Sequence, residues 1–89
     1  MATRRLEIQN IKGLHARASA KLVEVVESFD ATATVSKDGE TTGGDSIMGL
    51  LMLAASIGTF IEVTTAGPQA EELAAAIENL VADKFGEGD

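Results

Sequence analysis

The residues of this chain best suited to covalent chemistry are His15 and Arg17, in the segment Gly13-Leu14-His15-Ala16-Arg17. His15 is the only histidine in the sequence. An imidazole can act as a nucleophile and form a covalent intermediate. An arginine two residues away can make charge-assisted hydrogen bonds to phosphate oxygens. This pair predicts a site at which a phosphoryl group is held on His15, although a histidine beside a helix often has no chemical role.

The segment that follows His15 is predicted to be an amphipathic helix. Apolar residues recur at helical spacing after Ala16, opposite a polar stripe; they are Leu22, Val25, Val26 and Phe29. The first N–H groups of a helix have no partner within it and carry a partial positive charge, so they bind anions. We therefore expect the backbone N–H groups of Ala16 and Arg17 to hold phosphoryl oxygens.

The other elements follow from periodicity and turn signals. Alternating apolar and polar residues predict strands at 4–9, 31–37 and 60–65. Asp38-Gly39 predicts a two-residue hairpin into a short strand at 40–42. Ser46 is suited to capping a short helix at about 47–53. Gly67-Pro68 is predicted to open a last helix whose buried face consists of Leu73, Ile77, Leu80 and Val81.

These elements have the order β-α-β-β-α-β-α. This order predicts an α+β fold with two layers, an open-faced β-sandwich in which helices cover one face of a four-stranded, mostly antiparallel sheet. With 89 residues, the chain is expected to form one domain, residues 1–85, with a frayed tail at 86–89. Because so small a domain cannot enclose a deep cavity, its chemistry is expected at the surface.

Composition excludes several other classes. The formal net charge of −7 and the presence of only three aromatic residues, all Phe, argue against nucleic-acid binding. The absence of cysteine excludes disulfides and thiolate metal sites. The longest apolar stretch, residues 47–55, is too short to cross a bilayer, and the N-terminus does not resemble a secretory signal. We expect a cytoplasmic monomer that uses protein partners and neither a metal nor a cofactor.

Two motifs carry a resemblance to a known family. The segment Gly13-Leu14-His15-Ala16-Arg17 resembles the active-site signature of the HPr family, the histidine-containing phosphocarriers of the bacterial phosphotransferase system. A second segment, residues 45–55, begins at Asp45-Ser46 and resembles the regulatory-serine region of that family. The two motifs lie about thirty residues apart, as they do in the family. The resemblance covers residues 6–81 and implies the HPr-like form of the fold described above.

The resemblance also implies a function. Enzyme I, charged by phosphoenolpyruvate, would phosphorylate His15 at Nδ1, and a IIA-type protein would then accept the phosphoryl group. Arg17 would neutralise charge in the shared transition state. Under this interpretation the protein is a stoichiometric carrier and not an enzyme. In many bacteria a dedicated kinase, HPr kinase/phosphorylase, would phosphorylate Ser46 and weaken the binding of acidic partners.

The short helix after Ser46 is apolar on every side. Leu50 and Leu53 are expected to point into the core, which leaves other apolar side chains at least partly exposed. Exposed apolar patches mark interaction sites, and methionine suits a surface that binds several partners. The matching positions in the family are docking positions, so we expect partner docking at Ile47, Met48, Leu51 and Met52.

The chain departs from the sugar-transport members of the family at several positions. Ala18 stands where those members generally have proline, and alanine there resembles the regulatory NPr branch. Where many members carry lysines on the docking face, this chain has Glu24, Glu27 and Asp45. Charge reversal at an interface rim changes partner choice. Sugar uptake and regulatory phosphorelay therefore both stay open.

Two other classes of function compete with the carrier. The order of elements also resembles that of small ligand-binding regulatory modules, in which His15 would be incidental. A stand-alone enzyme is disfavoured, because the sequence shows no second acid–base residue near His15 and no metal-ligand cluster.

Overall fold

A computed structural model describes residues 1–87 of the chain and places seven regular elements in the predicted order, followed by one short turn of 3-10 helix. Residues 88 and 89 lie outside the described part. The elements are β1 (Ala2–Glu7), α1 (Ala16–Glu27), β2 (Thr32–Lys37), β3 (Glu40–Gly43), α2 (Ile47–Met52), β4 (Phe60–Ala66), α3 (Ala70–Ala82) and the 3-10 turn Lys84–Gly86.

The four strands form one sheet in the order β1-β4-β2-β3, and every neighbouring pair is antiparallel. Val63 on β4 lies opposite Val35 on β2, and Ile61 lies opposite Leu6 on β1. These residues are buried while their neighbours in sequence are partly or fully exposed, because successive side chains point to opposite faces of a strand. The α+β fold with two layers is thereby confirmed.

Both long helices bury their apolar stripes on the same face of the sheet. The largest core side chains of the helices are fully buried; they come from α1 (Leu22), α2 (Leu50) and α3 (Leu73 and Ile77). Glu71 and Glu72 occupy the first turn of α3, where negative charge is favourable to the helix dipole. Among residues 1–87, no helix is both long and apolar enough to span a membrane.

The hairpin prediction is confirmed in detail. Asp38 and Gly39 adopt φ values of 52° and 85°, and Lys37 pairs with Glu40 across the turn. These positive φ values give a turn whose twist matches that of the flanking strands.

The predicted bounds of β1 and the predicted start of α3 were wrong by two residues. Strand β1 begins at Ala2 and ends at Glu7, because it pairs with β4 as far as Thr65, which sequence periodicity cannot reveal. Pro68 does not open α3 but lies in a turn before it, in which the Ala70 N–H donates to Gly67 O at 3.2 Å.

The tail was predicted to fray from residue 86, but the structure differs at Gly86 and Glu87. Their N–H groups donate to the carbonyls of Asp83 and Lys84 at 2.9 and 3.0 Å. Phe85, immediately before them, is fully buried in the core and anchors this turn. Residues 88 and 89, the remainder of the expected tail, lie outside the described residues.

Candidate functional site

His15 stands at the start of α1 as its N-cap residue, with extended backbone angles (φ −76°, ψ −178°). Its carbonyl accepts the first helical hydrogen bond, from the Ser19 N–H at 2.9 Å. Its side chain makes no capping bond, and within residues 1–87 the N–H groups of Ala16, Arg17 and Ala18 have no acceptor. The helix therefore presents three unpaired donors next to the imidazole.

The loop before His15 is held in place by its backbone. The Leu14 N–H donates to Ala55 O at 2.9 Å, and Leu14 itself is buried. Gly13 adopts φ +63°, and a Cβ there would collide with the backbone at Ala55 and Ser56. A residue with a side chain cannot take this place without moving the loop, so Gly13 fixes where His15 emerges.

The imidazole is accessible at the surface. The His15 side chain is 26% exposed, so it is not sealed within apolar packing. Its Nε2 is hydrogen-bonded to Oε2 of Glu87, which the 3-10 turn brings back to the start of α1. Among the described residues, Nδ1 has no hydrogen-bond partner. The ring is therefore tethered through one nitrogen and open at the other.

Glu87 is a site residue that the sequence interpretation missed. Its second oxygen, Oε1, accepts from Asn10 Nδ2 at 2.9 Å. The hydrogen bond from Asn10 has the largest effect and lowers the pKa of the Glu87 carboxyl; desolvation raises it, and the contact with His15 and the charge of Lys12 lower it further, so that the net pKa is lowered. The expectation that no acid–base residue lies near His15 was therefore wrong. A glutamate beyond the last predicted helix carries no local signal for this contact.

Asn10 connects the two parts of the site. Its amide Nδ2 also donates to Gly13 O at 2.9 Å, and the whole residue is buried. One amide thus joins the loop that positions His15 to the carboxylate that contacts the ring. Its other atom, Oδ1, is buried without a partner among residues 1–87.

Arg17 is exposed in the first turn of α1. Its guanidinium forms no ion pair or hydrogen bond within the described chain. It is therefore free of competing intramolecular contacts on the helix turn that carries the unpaired N–H groups.

Ser46 caps α2 as predicted. Its Oγ accepts from the Gly49 N–H at 3.0 Å. The contacts of its neighbours show how α2 lies relative to the site. Gly44, just before Ser46, lies against Val26 in the second half of α1, whereas Ala55, just after α2, is bonded to Leu14. The end of α2 that carries Ser46 is thus the end farther from the His15 loop.

The exposure predicted for α2 is confirmed. Leu50 and Leu53 are buried, while Met48 and Met52 are 70% and 74% exposed. Ile47 is exposed and Leu51 is half-buried. We call the residues Ile47, Met48, Leu51 and Met52 the α2 patch. It is an apolar surface on a helix that is packed against α1.

The fold and this site define a class of protein: a small α+β domain that presents a tethered imidazole at a helix N-terminus, beside an exposed apolar patch. Known proteins place the chain more closely. A family model described as "PTS HPr component phosphorylation site" matches residues 2–83. The chain belongs to this family, the HPr and NPr phosphocarrier proteins of the phosphotransferase system.

Individual relatives agree with the family match. The phosphocarrier protein HPr of Cupriavidus necator is 43% identical over 89 residues, which covers both chains fully. The phosphocarrier protein NPr of Escherichia coli is 41% identical over 83 residues, 92% of each chain. The crystal structure of HPr-C-His from Thermoanaerobacter tengcongensis superposes with a TM-score of 0.93 at 36% identity and 98% coverage of both chains. These matches favour a phosphocarrier over the ligand-binding module.

Proposed function

We propose that His15 accepts a phosphoryl group from Enzyme I and donates it to IIA-type proteins. The observation that carries this proposal is the partly exposed imidazole at the start of α1, with Nδ1 open and three unpaired N–H groups beside it. The family of phosphocarriers to which the chain belongs supplies the type of chemistry.

The transfer step is a substitution at phosphorus. The Nδ1 lone pair of His15 forms a bond to phosphorus while the bond from phosphorus to its donor atom on Enzyme I breaks, and the electron pair of that bond stays with the donor atom. The N–H groups of Ala16 and Arg17 hold phosphoryl oxygens, and the Arg17 guanidinium neutralises part of their charge. Donation to a IIA-type protein is the same step in reverse, with an acceptor histidine as the attacking group.

This chemistry makes the protein a carrier. His15 is itself modified in each cycle, so turnover requires one protein that donates and another that accepts. No cofactor takes part in the proposed step. We propose that the protein works as a monomer in the cytoplasm.

The proposed docking surface is the α2 patch. Its apolar side chains are exposed beside α1, so a partner that covers the patch also reaches the His15 loop. Glu24, Glu27 and Asp45 are exposed and add negative charge to this side of the molecule. Partners with a basic rim around an apolar centre are therefore favoured.

Ser46 is the proposed regulatory site for HPr kinase/phosphorylase. Its hydroxyl lies at the N-terminus of α2, where a phosphate adds about two negative charges next to Ile47 and Met48. Because Ser46 lies at the end of α2 farther from the His15 loop, its phosphorylation is expected to act on docking more than on the transfer step. Both sugar uptake and regulatory phosphorelay remain open as the pathway served, since relatives named HPr and NPr match comparably.

Incubation with Enzyme I and radiolabelled phosphoenolpyruvate tests the proposal. The wild-type protein should take up one acid-labile phosphoryl group, and His15→Ala should take up none. His15→Ala should fold normally, because the His15 side chain makes no capping bond. A His15→Ala variant that still takes up label would refute the assignment of the site.

The role of Arg17 is tested by a matched pair of arginine variants. Arg17→Ala is expected to slow transfer by roughly 100-fold, in line with the loss of one transition-state donor. Arg5→Ala is the control, because Arg5 stacks on Phe60 on the strand face of the molecule and should leave transfer unchanged. Equal rates for the two variants would show that Arg17 does not act on the phosphoryl group.

A further inference from the structure

We propose that Glu87 is a positioning residue for His15, whose carboxylate holds the Nε2–H of the ring and so presents the Nδ1 lone pair for phosphoryl transfer. This inference rests on the proposed function of His15. The contact between Glu87 and the ring is itself independent of any partner.

The backbone of the tail is shaped to deliver this carboxylate. Lys84, Phe85 and Gly86 adopt φ values of 54°, 56° and 74°, three consecutive residues in the left-handed region. For residues with a Cβ this conformation is unfavourable, so surrounding structure must impose it. Here Phe85 is fully buried, and Lys21 Nζ donates to the Phe85 carbonyl at 2.6 Å. The turn is thus anchored in the core and reverses the chain toward the site.

The Glu87 carboxylate is oriented through both of its oxygens. Oε1 accepts from Asn10 Nδ2 and Oε2 contacts His15 Nε2. Asn10 is committed to this arrangement, because its Nδ2 serves two acceptors, Glu87 and Gly13. Its Oδ1 stays unpaired among residues 1–87. The Asn10 side chain is therefore held only by the two hydrogen bonds that its Nδ2 donates.

The chemistry of a carboxylate–imidazole pair explains what this orientation achieves. An ionised carboxylate can only accept hydrogen bonds, so the neutral ring must carry its proton on Nε2. The other nitrogen, Nδ1, then has the lone pair, and the hydrogen bond decides which nitrogen reacts. The bonds from Asn10 and His15 lower the pKa of Glu87, which keeps it ionised at neutral pH.

The Glu87 carboxylate also lies beside the positive charge that the ring gains during transfer. When Nδ1 bonds to phosphorus and the donor bond breaks, the proton stays on Nε2 and the ring gains positive charge. The Glu87 carboxylate faces that charge, as an orienting carboxylate does in other carboxylate–histidine pairs. When the phosphoryl group leaves, the electron pair returns to Nδ1 and the neutral ring is restored.

The first measurement is the ring tautomer in the unphosphorylated protein. Nitrogen NMR of the imidazole distinguishes a protonated nitrogen from one with a lone pair. The wild-type ring should be protonated almost entirely on Nε2, and Glu87→Ala should show a measurably weaker preference for that nitrogen. Glu87→Gln should lie between the two, because its amide has a single acceptor oxygen, which both Asn10 Nδ2 and the ring Nε2–H require. Glu72→Ala is the control; Glu72 is exposed on α3 and should not change the ring.

The second measurement is the rate of phosphoryl transfer from Enzyme I to the same variants. Glu87→Ala is expected to lower kcat/KM about 10- to 100-fold, the range for loss of a group that orients a functional histidine. Glu87→Gln should fall between Glu87→Ala and the wild type, and Glu72→Ala should match the wild type.

The outcomes separate the two proposals. A wild-type protein that takes no phosphoryl group refutes the proposed function, whereas the tautomer experiment still reports on Glu87. If His15 is phosphorylated but Glu87→Ala keeps both the wild-type tautomer and the wild-type rate, the role of Glu87 is refuted. A slower rate with an unchanged tautomer also refutes it, because the effect would then be structural. Altered tautomer together with slower transfer, partly rescued by glutamine, supports it.

Discussion

Replacement of Phe85 by alanine should destabilise the domain and release the carboxylate from the site at the same time. Phe85 is fully buried and belongs to the main core cluster. About 150 Å² of ring surface at about 25 cal/mol per Å² corresponds to about 4 kcal/mol. This value lies within the range of about 3–5 kcal/mol measured for Phe→Ala in protein cores. Alanine meets the same left-handed backbone cost at φ 56°, so the difference isolates the ring.

A loss of this size is easily measured in so small a domain. Total stability of small proteins is about 5–15 kcal/mol, and each kcal/mol shifts Tm by about 4–8 °C at this length. Thermal unfolding followed by circular dichroism should therefore show Tm lower by about 15–30 °C. Phe85→Leu is the matched control, because it retains most of the volume and is expected to cost less than about 1.5 kcal/mol.

The same variant tests the connection between core and site. At temperatures where Phe85→Ala remains folded, its His15 ring should show the same weaker preference for a proton on Nε2 that is expected for Glu87→Ala. Glu87→Ala, by contrast, should lower Tm much less than Phe85→Ala does, because it removes no core side chain. If Phe85→Ala lowers Tm by less than about 5 °C, the burial of the ring is refuted, because each kcal/mol of lost stability is expected to lower Tm by about 4–8 °C.

Three further predictions concern the helix ends and the acidic residue of the site. Ala54→Gly should stabilise the protein by about 0.5–1 kcal/mol, because Ala54 has φ 52° just past α2 and glycine adopts a positive φ without strain. Ala75→Gly within α3 should instead destabilise it by about 1 kcal/mol, and urea unfolding of both variants checks the opposite signs. Ser46→Ala should cost about 1 kcal/mol through loss of the cap, while Ser46→Asp should retain it, and equal urea midpoints for the two variants would contradict the cap. Because the pKa of Glu87 is lowered, its contribution to stability is present above its ordinary pKa and is lost as the pH falls through the lowered value. The Tm difference between wild type and Glu87→Gln should therefore shrink on acidification, and a difference that grows would contradict the contact.

Features with a local physical cause could be predicted from the sequence. The Asp38-Gly39 turn requires two residues that tolerate positive φ, and the cap at Ser46 requires a hydroxyl before an apolar helix. The burial of Leu50 but not of Met48 follows from the geometry of a short helix with only one side against the core. In each case the residues that determine the structure lie within a few positions of one another.

Features fixed by distant contacts could not be predicted. Pro68 favours a helix start by its own geometry, but α3 begins later at Ala70. The reason lies in a pair of hydrogen bonds between Gln69 and Asp30, in which Gln69 N–H donates to Asp30 O at 3.0 Å and Asp30 N–H donates to Gln69 Oε1 at 2.7 Å. These bonds hold Gln69 outside the helix, and no periodicity near Pro68 encodes them.

The conformation of residues 84–87 also could not be predicted from the sequence, because it depends on distant contacts. Lys84 and Phe85 have no intrinsic preference for the left-handed region, so local propensity predicts an unstructured end. Burial of one aromatic ring offsets that preference, since about 4 kcal/mol of apolar transfer is at least as large as the roughly 2–4 kcal/mol of backbone cost for Lys84 and Phe85 together. Once the turn exists, Glu87 must fall next to the start of α1.

The candidate site lies at the surface of the domain and is built from three parts of the chain that are distant in sequence. The Asn10 loop, the start of α1 and the residues after α3 meet at the surface, and each restricts a different degree of freedom of His15. In the proposed transfer, the loop fixes where the residue emerges, the carboxylate fixes which ring nitrogen reacts, and the helix N–H groups hold phosphoryl oxygens. A partner then has to supply only the phosphorus centre and its approach. In the proposed function, one small surface thereby serves both a donor and an acceptor.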